Sequence, residues 1–485
     1  MLDLLNDLLW SKVLIVVLIG LGLWFTVASR FVQFRHFGRM FRILGANQAF
    51  ARDQHGHLSS FQALMLSVAG RVGGGNIAGV AVAITLGGPG AIFWMWLIGL
   101  IGMATSYFEC TLAQAYKQAE PDGTYRGGPA HYIVRGMGEK WKWLAGIYSI
   151  LLLVTFGFGF NALQSYSVAN SVHDAFGVPV LASGIVLALI VAAIVFGGVR
   201  RIAQVAEFLV PIMAVGYLAI ALVVVAMNLE AIPAVFMLIV KSAFGLEPAI
   251  GGGIGAAILM GVKRGLFSNE AGLGSAPNVA AVAYVPHPPS QGIVQAFSVF
   301  IDTLIICSCT AFIVLLGDVY QPGSTTSLGG VALTQASLAS IVGEWGRVFV
   351  SVALMLFGFT TMVYNYYLGE NSLSFFTGEN RLVLVFYRVL VIGLCGWGAT
   401  TDLGTAFAFA DVTMGFLALA NLFALAVLFK TGLRLMKDYD SQVAAGVAEP
   451  RFDASCFADL DIDREAWKLE PENGDETVTP AVRGA

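Results

Sequence analysis

Two stretches of this 485-residue chain combine residue types that can do chemistry at spacings that ordinary packing does not explain. The first reads Ala69-Gly70-Arg71-Val72-Gly73-Gly74-Gly75-Asn76-Ile77, in the middle of an apolar window. Each of three successive glycines costs a helix about 1 kcal/mol relative to alanine. Together they cover every helix face, so close packing through small residues explains them poorly. Unwound backbone survives in lipid only where it lines a cavity inside the protein. There, freed amides can face an anion and freed carbonyls a cation. The second stretch runs from Gly261 to Pro277 and carries Lys263, Arg264, Phe267, Ser268, Asn269, Glu270 and Ser275 around Gly265 and Gly272. Ionisable groups in an apolar span are rare and usually functional. Arg264 and Glu270 are read either as a gate or as a structural ion pair. The glycines Gly251, Gly252 and Gly253 upstream are read as a packing surface.

Enzymatic chemistry finds no constellation to rest on. The six histidines, His36, His55, His57, His131, His173 and His287, fall in loops without the paired spacing of a zinc helix. His55 and His57 beside Asp53 read as solvated loop residues. Five scattered cysteines make no complete disulfide framework. Cys307 and Cys309, two apart on one helix, face different sides, and all five are read as small hydrophobes. No transition metal and no organic cofactor are expected.

The composition says where these stretches must lie. The chain is 57% hydrophobic and only 12% charged, with a mean hydropathy of +0.77. A soluble protein carries about a quarter charged residues. Continuous apolar runs exclude a membrane β-barrel, whose strands alternate. The expected class is an all-α polytopic membrane protein. The net charge of −4 is unevenly spread: from Asp438 onward, twelve acidic residues face four basic ones. Nothing resembles a nucleic-acid footprint, and the acidic tail reads as a solvated, disordered segment.

Eleven windows can span a bilayer, at about 20 residues each: 11–29, 60–84, 90–116, 144–172, 180–197, 204–227, 249–281, 292–316, 346–372, 383–398 and 405–430. The first is longer than a signal-peptide core and reads as an anchor. Segments 231–245 and 334–342 are too short and read as interfacial helices. Lys and Arg concentrate on one side, in the loops around Arg30–Arg52, Lys117–Lys142, Arg200–Arg201, Arg381 and Lys430–Lys437. The positive-inside rule then puts the N-terminus outside and the C-terminus in the cytoplasm. Setting the first helix aside leaves ten, five plus five, and an odd unit forces the second to enter from the opposite face. The expected organisation is 1–59 as an extra helix with a basic loop, 60–227 as one five-helix repeat, 228–248 as a connector, 249–430 as the inverted repeat and 431–485 as the tail. Many secondary transporters are built this way.

The sequence resembles the alanine or glycine:cation symporters. Gly87-Gly88-Pro89-Gly90-Ala91-Ile92-Phe93-Trp94-Met95-Trp96-Leu97 is similar to that family's signature run. Asn76-Ile77-Ala78-Gly79 resembles its first broken helix, and Arg264 through Pro277 its second. Arg126-Gly127-Gly128-Pro129 and Gly369-Glu370 add further points of likeness. The resemblance implies the leucine-transporter-type inverted-repeat fold and sodium-driven import of a small neutral amino acid: alanine or glycine, with D-alanine or serine within its range. The chain departs from the family in Gly74 for threonine, in Tyr364-Asn365, in Gln164-Ser165-Tyr166-Ser167 and in Ser106 for a frequent lysine. These departures leave a proton-coupled carrier, or one of broader specificity such as for glutamine, as the alternative reading. A channel suits two broken helices less well than a carrier does.

On this reading the partners are a small neutral amino acid, sodium and the lipid bilayer of the cell inner membrane, with no obligate protein partner. Amides of Gly73, Gly74, Gly75 and Asn76 would hold the substrate carboxylate. Asn161 and Gln164 share a face at i, i+3. With Phe267, Ser268, Asn269, Tyr364 and Asn365 they would line the rest of the pocket. For sodium, a hard cation that prefers oxygen ligands, the adjacent hydroxyls Thr360 and Thr361 are candidates. The resemblance implies the carbonyls of Ala69 and Val72 as their companions. Threonines often bond back to their own helix instead. A coupling proton would need a membrane carboxylate, with Glu109, Asp302 and Asp411 as candidates, but none lies near a glycine break in sequence.

Overall fold

The computed structural model describes residues 2–52, 57–121, 123–246, 253–321, 328–378, 380–400 and 403–467. The glycines Gly251 and Gly252, and His55 with Asp53, lie outside the described residues.

Eight described helices are long and apolar enough to cross a bilayer, and a bent pair makes a ninth span. With the shorter helices between them, the chain order is α1 (Leu4–Ala28), the bent pair α2 (Ser60–Arg71) and α3 (Gly75–Gly87), α4 (Gly90–Ala115), α5 (Glu139–Phe176), then the shorter α6 (Val180–Val195) and α7 (Gly198–Met227). After α8 (Ile232–Ala243) come α9 (Gly253–Asn269), α10 (Ser275–Ala280) and α11 (Pro288–Leu316). The last are α12 (Gly330–Val342), α13 (Trp345–Thr377), α14 (Arg381–Gly398) and α15 (Leu403–Ala444). Every one of the eleven sequence windows contains a helix. Besides 60–84, which holds the bent pair, two windows contain no helix of that length. α6 has 16 residues, and the 249–281 window is divided between α9 and α10.

Local sequence sets the boundaries. Ser59 and Gln62 form a reciprocal capping box at the start of α2, satisfying two of its unpaired amides. α1 ends in an elbow where Arg30 and Phe31 take positive φ (55° and 58°). The Gly87–Leu97 run is a packing device: the Gly90 amide donates to Ser242 Oγ at 3.1 Å and Trp94 Nε1 to the Ala243 carbonyl at 3.3 Å. That fixes α8 over the start of α4. α12, expected at the interface, has Leu333 through Leu338 buried, and Thr334 donates to the Ile77 carbonyl at 3.2 Å. It therefore reaches down to the first helix break.

The expectation of a loose tail from 431 is corrected for residues 431–467. α15 continues to Ala444, and residues 447–467 form a strap across the face that carries the basic loops. Phe452, Phe457, Ile462, Ala466 and Trp467 are buried. The Phe452 amide donates to the Pro286 carbonyl at 2.9 Å, and Arg434 pairs with Asp459. The Ala119 amide donates to Asp463 at 3.1 Å, and the Lys117 ammonium lies 4.4 Å from the Trp467 ring centre. Few large apolar residues suffice here because each finds a ring or backbone partner. Residues 468–485 lie outside the described residues.

His287 anchors this contact through Asp438 (2.8 Å) and the ring of Phe452. Burial pushes its pKa down, outweighing the raising effect of Asp438. A histidine held below its unfolded pKa contributes stability that is present above about 6.5 and lost as the pH falls below it. Cleavage of the strap by added protease should therefore speed up between pH 7.5 and pH 5.5. His287→Gln should remove most of that pH dependence.

Candidate functional site

The first break follows from where the amides of the glycine run turn. α2 closes with the regular bond from the Val72 amide to the Val68 carbonyl, 2.8 Å, and Val72 then goes extended (φ −82°, ψ 95°). The Gly73 amide turns to Asn76 Oδ1 at 2.8 Å, and the Gly74 amide to Gln164 Oε1 at 3.0 Å. One loose turn later the helix resumes, bent by 49°. Two of the amides expected to hold a carboxylate are thus engaged by side chains. A substrate would have to displace them.

The same turn frees the carbonyls of Ala69 and Val72, and Thr361 takes both. Its hydroxyl lies 2.9 Å from the Ala69 oxygen and 3.3 Å from that of Val72, and also 2.8 Å from the Phe357 carbonyl of its own helix, so its single proton is shared among three acceptors. Thr360 is corrected out of this cluster. Its hydroxyl bonds back to the Leu356 and Phe357 carbonyls at 3.1 and 3.0 Å, because neighbours on a helix point about 100° apart. The remaining set, two backbone oxygens and a hydroxyl, has the all-oxygen chemistry that suits sodium.

The second break sits opposite. α9 runs to Asn269, Glu270 takes the left-handed conformation (φ 56°), and Gly272 and Gly274 follow at 87° and 85°. A non-glycine residue held there costs roughly 1–2 kcal/mol, offset by contacts from other helices. Glu270 accepts from Ser275 Oγ at 2.5 Å and from the Tyr364 hydroxyl at 3.0 Å. Glu109 accepts from the Gly272 amide at 3.3 Å and from Asn421 Nδ2 at 3.0 Å. Asn421 Nδ2 also reaches the Gly272 carbonyl, and the Tyr148 hydroxyl donates to that of Gly274. Unwound backbone is tolerated at this depth because buried side chains satisfy it.

Between the breaks the candidate lining residues converge. A side chain on Gly75 would meet the Phe267 ring at 3.1 Å and Ser268 Cα at 3.4 Å. Phe267 packs on Phe160 (4.9 Å) and Phe407 (5.9 Å). Both amide atoms of buried Asn365 lack a hydrogen-bond partner in the protein, as do Asn269 Nδ2 and Asn161 Oδ1. Asn161 Nδ2 is turned to its own helix, at the Gly157 carbonyl. On α13, Thr361, Tyr364 and Asn365 share one face at i, i+3, i+4.

Arg264 and Glu270 do not pair. Arg264 donates to Asp411 at 3.1 Å, and Lys263 reaches the same carboxylate at 2.7 Å. Glu270 begins a left-handed turn that carries it to the other side of the break. Removing one member of a buried ion pair leaves a charge uncompensated, at a cost of about 3–5 kcal/mol. Asp411→Asn should accordingly lower the thermal midpoint of the purified protein by several degrees. A double-mutant cycle should couple Asp411 to Arg264, and Glu270 to Tyr364 but not to Arg264.

The candidate carboxylates Asp302 and Glu109, remote from the glycine breaks in sequence, lie against them in space. Asp302, on α11, accepts from Asn76 Nδ2 (2.6 Å), Ser268 Oγ (3.0 Å) and Thr303 Oγ1 (2.7 Å). It therefore touches both breaks. Arg71 is buried against Ser106, Ser298 and the Gln295 carbonyl. Arg71 was given no role from the sequence, although an isolated ionisable residue in an apolar run was the available signal.

The sodium:alanine symporter family model matches residues 1–454. The chain is 45% identical to a Bacillus subtilis protein named probable sodium/glutamine symporter GlnT, over 91% of this chain and 90% of that one. It is 44% identical to the amino-acid carrier protein AlsT of the same organism, over 96% and 97%. Among solved structures it is similar to MhsT, crystallised with L-phenylalanine. The TM-score is 0.54 at 15% identity, over 78% of this chain and 97% of that one. That likeness establishes the leucine-transporter-type fold.

Proposed function

We propose, since the chain belongs to the sodium:alanine symporter family, that it imports alanine or glycine with sodium across the cell inner membrane by alternating access. The chain is a multi-pass amino-acid symporter and not an enzyme. The choice of amino acid and ion goes beyond membership of the family. It rests on one observation above the others: Thr361 Oγ1 meets the two carbonyls released by the first break. Sodium there would bring α2 and α13 together. The substrate carboxylate would take the Gly73 and Gly74 amides from Asn76 and Gln164, and Phe267 with Phe160 would bound a small side chain. Asn161, Asn269, Tyr364 and Asn365 would line the remaining wall. Sodium is the coupling ion and no other cofactor takes part. The Lys/Arg bias supports an external N-terminus and a cytoplasmic C-terminus.

Purified protein in liposomes tests this directly. An inward sodium gradient alone should drive concentrative uptake of labelled alanine. Full uptake in sodium-free buffer refutes sodium coupling. Asp302 favours a second reading, because a buried carboxylate held by both breaks could carry a proton instead. In that case a pH gradient alone would drive uptake, and Asp302→Asn would abolish that component. Adding glutamine as competitor in the same liposomes measures how far the pocket extends beyond alanine.

A further inference from the structure

Away from the broken helices, a cavity of about 300 Å³ opens between the 118–135 loop and the end of α13. Its walls include Arg126, Arg135, His131, Ser374, Glu120 and Phe375. The transport reading uses none of them. Arg126 is matched by Glu120 at 3.1 Å. Arg135 is held less firmly. Its Nε lies 3.5 Å from Asp461 of the strap, whose side chain is 64% exposed. Exposed pairs at that distance are weak and screened by salt. Arg135 Nη1, His131 Nδ1 and Ser374 Oγ are buried without a hydrogen-bond partner in the protein. Burial, then the charges of Arg126 and Arg135, push the His131 imidazole down to about 4. At neutral pH it is an uncharged ring with one N–H to donate.

The surroundings give the cavity a membrane-surface setting. Trp143 and Phe376 are 59% and 49% exposed beside it, and Lys140 and Lys142 are exposed on the adjoining turn. Exposed aromatic rings concentrate at headgroup depth, and basic residues near that depth attract anionic lipid. Arginine's forked donors match phosphate oxygens two at a time. With Asp461 displaced, the cavity wall carries two guanidiniums against one carboxylate.

We propose that this cavity binds a phosphate-bearing anion, with Arg135 as its main contact and Arg126 and Ser374 beside it, in competition with Asp461 of the strap. The phosphate can belong to an anionic lipid headgroup or to a soluble compound. Binding would loosen one of the strap's contacts, so that occupancy of this face is sensed by the C-terminal segment. The proposal stands independently of which amino acid or ion is transported.

Full-length protein supplies the test, with two probes. Native mass spectrometry from nanodiscs measures retention of phosphatidylglycerol against phosphatidylcholine. Calorimetry measures binding of inorganic phosphate. Preferential phosphatidylglycerol retention identifies a lipid source, and saturable phosphate binding without lipid preference identifies a soluble one. In either arm Arg135→Gln should weaken binding roughly tenfold, the loss of one charge-assisted pair of contacts. Arg135→Lys should weaken it less, and Arg347→Ala, in the first turn of α13 at the end away from the cavity, should leave it unchanged. Asp461→Asn should strengthen binding several-fold, a gain that misfolding cannot mimic. The proposal is overturned by no preference for either probe, by undiminished binding in Arg135→Gln, or by unchanged affinity in Asp461→Asn.

Discussion

Thr361→Ala should raise the sodium concentration needed for half-maximal uptake by roughly 10- to 100-fold, the loss of one direct oxygen ligand worth about 1–3 kcal/mol. Thr360→Ala should stay within about twofold of wild type, because its hydroxyl bonds to the Leu356 and Phe357 carbonyls and to Met213 Sδ, away from the first break. The two residues are neighbours in sequence with the same chemistry, so the contrast isolates direction alone. Thr361→Ser keeps the hydroxyl and should recover most of the sodium affinity. Equal losses in Thr360→Ala and Thr361→Ala would remove the site from α13. A sodium dependence left intact in Thr361→Ala would show that the hydroxyl merely ties α13 to the first break.

Gly73→Ala should cut alanine uptake by roughly 30-fold or more, from overpacking of about 2 kcal/mol, and Gly74→Ala should cut it by less, because its Cβ meets the movable amide end of Gln164. A Cβ on Gly73 would stand 2.6 Å from Thr361 Oγ1 and 2.9 Å from Gln164 Nε2, and one on Gly74 would stand 2.9 Å from Gln164 Oε1. Both clashes fall on groups the transport reading requires. Gly79 lies one turn further along the same span with nothing within 4 Å of its Cβ position, so Gly79→Ala should transport nearly normally. Chromatographic profiles of all three variants separate lost function from lost fold. Uptake in Gly73→Ala and Gly74→Ala equal to that of Gly79→Ala would mean that the breaks do not form the substrate site.

Much of the architecture was legible before any coordinates. Membrane helices announce themselves through composition, since lipid tolerates little but apolar side chains around a self-satisfied backbone. The eleven windows each contain a helix for that reason. Both breaks were visible because glycine runs and mid-span charges are costly in lipid and persist only for a purpose. The strap was not legible. Burial of Phe452, Phe457 and Trp467 depends on the Lys117–Arg135 loops and the 283–287 segment being brought beneath them, and tail composition is blind to that surface.

The charged residues divide in the same way. Sequence identified Arg264, Glu270, Asp302, Glu109 and Asp411 as ionisable groups in apolar surroundings, but it paired Arg264 with Glu270 by proximity along the chain. The left-handed turn at Glu270 sends the two side chains to different partners, Asp411 and Tyr364. Asp302 is 226 residues from Asn76, yet it hydrogen-bonds to it. The sequence by itself determined that the chain spans a membrane, which two spans break and which family it resembles, because those properties follow from local composition and spacing; Gly265, also a possible break, stays helical inside α9. Tertiary structure alone decided which of two adjacent threonines meets the break, which carboxylate answers which cation and where the acidic strap docks. Each of these depends on the direction of a side chain and on helices far apart in sequence, which no local pattern records.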